Sequence, residues 1–200
     1  NAGSELARSY QAYFTSGHYD RRYPSPNMST WRRILRALPP AAHVVDYGCG
    51  SGRYLLRLQA HVAKAAGFDI SPAAIALLQD RALATGWDEL SILGPDPEDM
   101  NRYTISAGPA DVVLCLFGVL GHIDSYPARQ IALRQIRTAL KPDTGRLLIS
   151  VPNRTRRFFA EQRAAGPGAK NLIQYERFLN GTHLTLPYQL FDPARLCGEL

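Results

Sequence analysis

Two hundred residues with 46% hydrophobic and 20% charged side chains fit one globular domain of ordinary size. The longest apolar run, Val112 to Gly121, is half the ~20 residues a membrane helix needs, and the first residues lack the basic-then-apolar pattern of a secretory signal. The net charge of +6 is uneven: Arg129 to Arg177 holds eleven Lys/Arg against three acidic residues, a balance of +8 that leaves −2 for the rest. Such a segment suits either a solvated face or an acidic partner such as nucleic acid. Cys49, Cys115 and Cys197 show no metal-ligand spacing, and an odd number of thiols fits a reducing, cytoplasmic setting.

In chain order, Ser4 to Ser16 places Leu6, Tyr10, Tyr13 and Phe14 on one side, which predicts an amphipathic helix ended by Gly17. His18 to Asn27 has two prolines and no period and reads as a loop carrying Tyr19, Arg22 and Tyr23. Ser29 to Leu38 reads as a second helix with Trp31, Ile34, Leu35 and Leu38 inward, stopped by Pro39-Pro40. Val44 to Asp46 is a β-branched strand. Gly48, Gly50 and Gly52 follow at every second position, where the missing side chains let the backbone turn and approach a ligand. Tyr54, Leu55 and Leu58 predict a helix whose N-terminus, with the loop amides, faces an anion. Ala65 to Phe68 is a second strand. Asp69 at its end lies at the right distance for a carboxylate that accepts hydrogen bonds from ribose hydroxyls.

Ser71 and Pro72 start a helix to about Thr85, with Ile75, Leu78 and Leu83 expected inside and Gly86 closing it. Glu89 to Leu93 is a third strand leading into an acidic loop, 94–100. Ala110 to Leu116 is a continuous apolar run suited to a central parallel strand. Asp124 to Leu140 reads as a helix with Ala128, Ile131, Ala132, Ile136 and Leu140 inside and arginines outside, before a fifth strand from Arg146 to Val151. Beyond Pro152 the period fades. Ala164 to Ala169 reads as flexible, and Tyr175 to Tyr188 as one or two short strands or a hairpin around Asn180-Gly181. Asp192 and Pro193 cap a last helix.

The glycines are spaced G-x-G-x-G, not the dinucleotide-binding G-x-G-x-x-G. Asp46 to Gly52 (DYGCGSG) resembles motif I of class I S-adenosylmethionine-dependent methyltransferases, most of all the small-molecule and ubiquinone-pathway-like group. Gly67 to Ser71 (GFDIS), Asp111 to Ile123 (DVVLCLFGVLGHI) and Leu140 to Asn153 (LKPDTGRLLISVPN) resemble later motifs in the family's order. The resemblance spans roughly residues 28–153 and implies an α/β fold: a three-layer, Rossmann-like, mostly parallel sheet with N-terminal helices. It divides the chain into a helical cap (1–40), a cofactor-binding core (41–153) and a substrate-specific insertion with the start of the last helix (154–200). The two antiparallel strands that complete the family's seven-stranded sheet are not found, and further C-terminal sequence is expected.

The resemblance implies a methyltransferase that uses S-adenosylmethionine, releases S-adenosylhomocysteine and methylates a small-molecule acceptor by in-line displacement. Carried onto this chain, its cofactor-binding residues are Asp46, Gly48, Gly50 and Gly52 at the methionyl end and Asp69 with Ile70 at the ribose. Asp96 and Glu98 fall at the adenine, and Leu116 and Phe117 at the methyl end. Residue 97 is a proline without an N–H, so a backbone contact there falls to Glu98. His122 is the candidate general base, Tyr19 and Tyr23 are candidate substrate contacts, and no metal is expected. Two other readings stand beside this one. One is a tRNA methyltransferase using the basic 129–177 segment, since Gly48 to Leu55 is similar to motif I of the wobble-uridine enzymes. The other is a non-catalytic S-adenosylmethionine-binding protein. The acceptor atom and the oligomeric state are not legible in the sequence.

Overall fold

The computed structural model describes residues 2–169, 171–179 and 182–200. The side chains of 2–7, 175, 177, 179 and 182–184 lie outside the description, and with them the expected inward Leu6 and the Asn180-Gly181 turn. Three helices open the chain: α1 (Ala2–Thr15), α2 (His18–Arg22) and α3 (Met28–Ala37). Five strands follow, β1 (His43–Tyr47), β2 (Lys64–Phe68), β3 (Leu90–Leu93), β4 (Val112–Cys115) and β5 (Arg146–Ile149). They pair in parallel in the order β3-β2-β1-β4-β5. Strand order reverses between β1 and β4, which opens a crevice at the C-terminal ends of those two strands.

Strict alternation along the strands builds two cores. Val44, Ala65, Val112 and Leu114 face one side and pack with Trp31 and Ile34 of α3 and Leu78 of α4 (Pro72–Thr85). Val45, Ala66, Val113 and Cys115 face the other, against Met100 of α5 (Glu98–Ala107). After α6 (Val119–His122), α7 (Tyr126–Ala139) adds Ala132, Leu133 and Ile136 to that second core. The helix starts are fixed by side chains: Asn27, Ser71 and Ser125 accept the N–H of Thr30, Ala74 and Ala128, each cap contributing ~1 kcal/mol. Past β5 come α8 (Phe159–Ala165), then β6 (Leu172–Leu179) and β7 (Thr182–Gln189) as a separate antiparallel pair, then α9 (Pro193–Glu199). β7 packs on α6 and α1, over the C-terminal edge of the sheet. Among the described residues no helix is long and apolar enough to cross a membrane.

Three expectations need correction. The chain after the glycine loop forms only a 3-10 turn, Leu55–Leu58, not an α-helix. Only four residues are wound, Leu55–Leu58, and a 3-10 turn of that length is usual in a connection between strands. The expected loop at His18 to Asn27 begins instead as α2, because Gly17 (φ 65°) breaks α1 and lets the chain restart. Leu83 is 81% exposed and Ile131 52% exposed, while Arg129 is 1% exposed. The inward stripe of α7 is thus 129, 132, 133, 136, and Arg129 tolerates burial because Glu199 of α9 meets its guanidinium at 2.7 and 2.9 Å. The chain from Ala164 to Ala169, expected to be flexible, completes α8 and then forms a 3-10 turn at Pro167–Ala169, which leaves that expectation untested.

Candidate active site

The glycine loop is curled onto the end of β2. The N–H groups of Gly48 and Cys49 both donate to the Phe68 carbonyl, at 2.7 and 3.0 Å. The Gly50 N–H donates to Asp69 Oδ2 at 2.8 Å, and the Ser71 N–H to Asp69 Oδ1 at 2.9 Å. An ionised carboxylate offers about four lone-pair sites, so Asp69 keeps acceptor capacity for a ligand hydroxyl. Burial raises the Asp69 pKa, against the lowering effect of the Ser71, Gly50 and Ile70 N–H groups. Asp46 is buried too; burial, and then the neighbouring Asp69 charge, push its carboxyl up to about 7, with Arg53 opposing.

The three motif glycines serve different purposes. A Cβ on Gly50 would lie 3.1 Å from Phe14 Cζ, between the loop and the helix that roofs it. One on Gly48 would meet Val119 at 2.5 Å. Gly52 faces away, where a Cβ would meet Leu78 at 2.6 Å and Leu56 at 2.9 Å, so its missing side chain admits α4 rather than a ligand.

Two cavities lie at this edge of the sheet. The first, ≈ 120 Å³, is walled by Gly48, Gly50, Asp69, Ile70 and Leu116, with Tyr47 and Phe68 as flat apolar faces and Phe14 as roof. The second, ≈ 260 Å³, reaches Tyr13, Tyr23, Ser150, Arg157, Phe158 and Tyr188. Tyr10, Tyr19, Phe117 and His122 belong to both. The roof is tied down at several points. Asp20 of α2 pairs with Arg81 at 2.7 Å and accepts from Ser51 Oγ at 3.1 Å, and Gln11 of α1 accepts the Ala73 N–H at 2.8 Å.

Phe117 separates the two cavities in a left-handed conformation (φ 61°) that costs a bulky residue roughly 1–2 kcal/mol. It is held there by its N–H donating to Ser150 Oγ at 2.6 Å and by the Arg53 guanidinium 4.2 Å from its ring centre. His122 is buried, stacked on Tyr188 at 4.3 Å and met edge-on by Tyr10 at 5.4 Å.

The profile of the family described as "Methyltransferase domain" matches residues 18–197. The chain belongs to this methyltransferase family. It is an S-adenosylmethionine-dependent methyltransferase on a Rossmann-like sheet. Similar solved structures include the DhpI-SAM-HEP complex, at 19% identity over 99% of this chain and 87% of that one, with a TM-score of 0.70. CcbJ methyltransferase from Streptomyces caelestis is 19% identical over 88% of this chain and 77% of its own, with a TM-score of 0.66. SAM-bound CalS10, an amino pentose methyltransferase from Micromonospora echinaspora, is 16% identical over 86% and 78%, with a TM-score of 0.58. At these identities the likeness is one of fold. No curated protein matches the chain at a significant level.

The residues of the first cavity fit the cofactor of this methyltransferase. It lies at the strand-order reversal, a Gly50 Cβ would press on its roof at Phe14, Asp69 keeps acceptor capacity for hydroxyls, and flat apolar walls suit a purine. Of the residues expected at the cofactor, Gly48, Gly50, Asp69, Ile70, Leu116 and Phe117 meet in this wall, and His122 joins them. Asp46 is buried behind it and Gly52 packs elsewhere. Asp96 and Glu98 are exposed and outside it. Asp96 accepts the Glu98 N–H at 3.0 Å at the start of α5 and pairs with Arg102 at 3.0 Å. Between them Pro97 reaches an adjoining cleft that shares Tyr47, Phe68 and Ile70. Tyr19 and Tyr23 stand in the second cavity. Sequence reasoning missed Tyr10 and Phe14 as roof, Arg53 as the hub of the aromatic cluster, and Arg157 and Tyr188 as far walls. The i, i+4 pairing of Tyr19 and Tyr23 was a readable sign that α2 presents one aromatic face.

Proposed function

We propose that the methyltransferase methylates a small molecule held in the second cavity. The observation that carries this reading is the common wall of Tyr10, Tyr19, Phe117 and His122, at which ligands in the two cavities would meet. When bound, S-adenosylmethionine supplies the methyl group as an electrophilic carbon on a sulfonium. The chain's own part is to hold both partners in line and to keep water out. Asp69 would accept ribose hydroxyls while it fixes the Gly50 amide, and Tyr47, Phe68 and Ile70 would flank the base. Tyr10 and Phe14 of α1 and Tyr19 of α2 cover the site. His122 would accept the proton that an amine or hydroxyl acceptor releases. Burial raises the Tyr19 pKa far above its usual value, so its phenol stays protonated and can donate a hydrogen bond to an acceptor.

The similar CalS10 being an amino pentose methyltransferase supports a small acceptor. The basic 129–177 segment lends less to a tRNA reading, because two of its charges are engaged elsewhere. Arg129 is buried against Glu199, and Lys141 pairs with Asp111 at 2.6 Å beside the start of β4, the end of the sheet away from the cavities. Incubation with methyl-labelled S-adenosylmethionine and either a small-molecule extract or bulk tRNA tests the choice. Label in a low-mass product is expected, and label that precipitates with the tRNA would overturn the reading.

A further inference from the structure

The second cavity is walled largely by rings, and a box of Tyr and Phe faces ordinarily favours a cation. Here the chain's own guanidinium groups already take that role. Arg53 lies 4.2 Å from the ring centre of Phe117, 5.4 Å from Tyr23 and 5.8 Å from Tyr19, so three of these rings already face a positive charge. Arg157 lies 5.3 Å from the ring of Phe158, and among the described residues it is the one Lys, Arg, Asp or Glu in the cavity wall. Neither arginine makes a salt bridge among the described residues. Arg53 Nε is buried with no hydrogen-bond partner. Ser150 accepts the Phe117 N–H, which leaves its own hydroxyl proton for a ligand.

We propose that the methyl acceptor is a small oxyanion, a carboxylate or phosphate monoester, whose charged group pairs with Arg157. The inference rests on the reading of this cavity as the acceptor site. An ammonium there would meet the Arg157 guanidinium, which makes no salt bridge among the described residues, and rings already engaged by Arg53. An oxyanion meets a guanidinium fork, hydroxyl donors and no opposing carboxylate.

The test is calorimetry on the protein saturated with S-adenosylhomocysteine, using four probes of similar size: 4-hydroxybenzoate, phenyl phosphate, 4-hydroxybenzamide and tyramine. At least one anion should bind about tenfold or more tighter than the amide, the size of one charge-assisted hydrogen bond. Which anion binds tighter separates a carboxylate from a phosphate acceptor. Arg157→Gln should bring the ratio near one, and Arg157→Lys should keep part of it. Tyramine or the amide binding as tightly as both anions, no heat with either anion, or an anion preference that survives Arg157→Gln would overturn the proposal. Titration with S-adenosylhomocysteine alone separates the two readings. Binding of that ligand without anion preference removes this inference only, whereas its failure to bind removes the cofactor reading beneath it.

Discussion

Replacing Asp69 by Asn changes one oxygen to NH2 and leaves the volume unchanged. Asp69 accepts two backbone donors, Gly50 at 2.8 Å and Ser71 at 2.9 Å, one on each oxygen. An Asn keeps one acceptor, so one donor loses its partner and faces the amide's own N–H. The lost charge-assisted bond costs about 1.5–3 kcal/mol and the orphaned buried donor about 1–3 more. Relief of the repulsion that helps push the Asp46 carboxyl to about 7 offsets part of this. The net loss expected is about 2–4 kcal/mol. Because the glycine loop supplies one of the donors, the damage reaches the cofactor cavity directly. Calorimetric titration with S-adenosylhomocysteine should show at least about tenfold weaker binding, equal to about 1.4 kcal/mol, together with a lower unfolding temperature. An Asn variant that binds within about twofold of wild type and unfolds at the same temperature would refute the reasoning.

Three further outcomes are expected. Asp46 keeps its proton in the folded chain up to about pH 7, while the unfolded chain releases it near pH 4. Its contribution is therefore most favourable below about pH 4 and falls as pH rises to about 7. Urea midpoints across that range should record the fall, and Asp46→Asn should flatten it; an unchanged slope would speak against the assignment. Glu199→Ala leaves the buried Arg129 guanidinium with the Ile123 carbonyl at 2.9 Å and no described carboxylate. It should cost about 3–5 kcal/mol in chemical denaturation, and a loss below about 1 kcal/mol would contradict the burial argument. Gly50→Val puts a β-branched residue at φ 56° with its Cβ 3.1 Å from Phe14. Loss of S-adenosylhomocysteine binding with an intact circular dichroism spectrum is expected, and normal affinity would show that the loop does not border the ligand.

Local chemistry made much of this fold legible. Ser71, Pro72 and Gly86 bound α4 as capping rules require, and the apolar run at Val112 marks a strand buried on both faces. The errors arose where tertiary contacts decide. Ile131 and Arg129 differ by two positions on one helix, and periodicity alone favours the isoleucine; only Glu199, seventy residues away, makes the arginine the buried one. Leu83 reads as core, yet it stands exposed on α4. At the first cavity, the position of Asp69 just past β2 was readable because it depends on strand length alone. Arg53 was not, since its role depends on Tyr19, Tyr23 and Phe117 converging from three separate segments. Arg157 and Tyr188 come from the stretch with the least periodic signal, where only folding brings them to one cavity.

The central claim is that the crevice between β1 and β4 binds S-adenosylmethionine through the glycine loop and Asp69. Isothermal titration of the purified chain with S-adenosylmethionine, S-adenosylhomocysteine and NAD tests it most directly. The account predicts saturable binding of both adenosyl ligands, with NAD silent. Binding of NAD, or no heat with either adenosyl ligand, would contradict it.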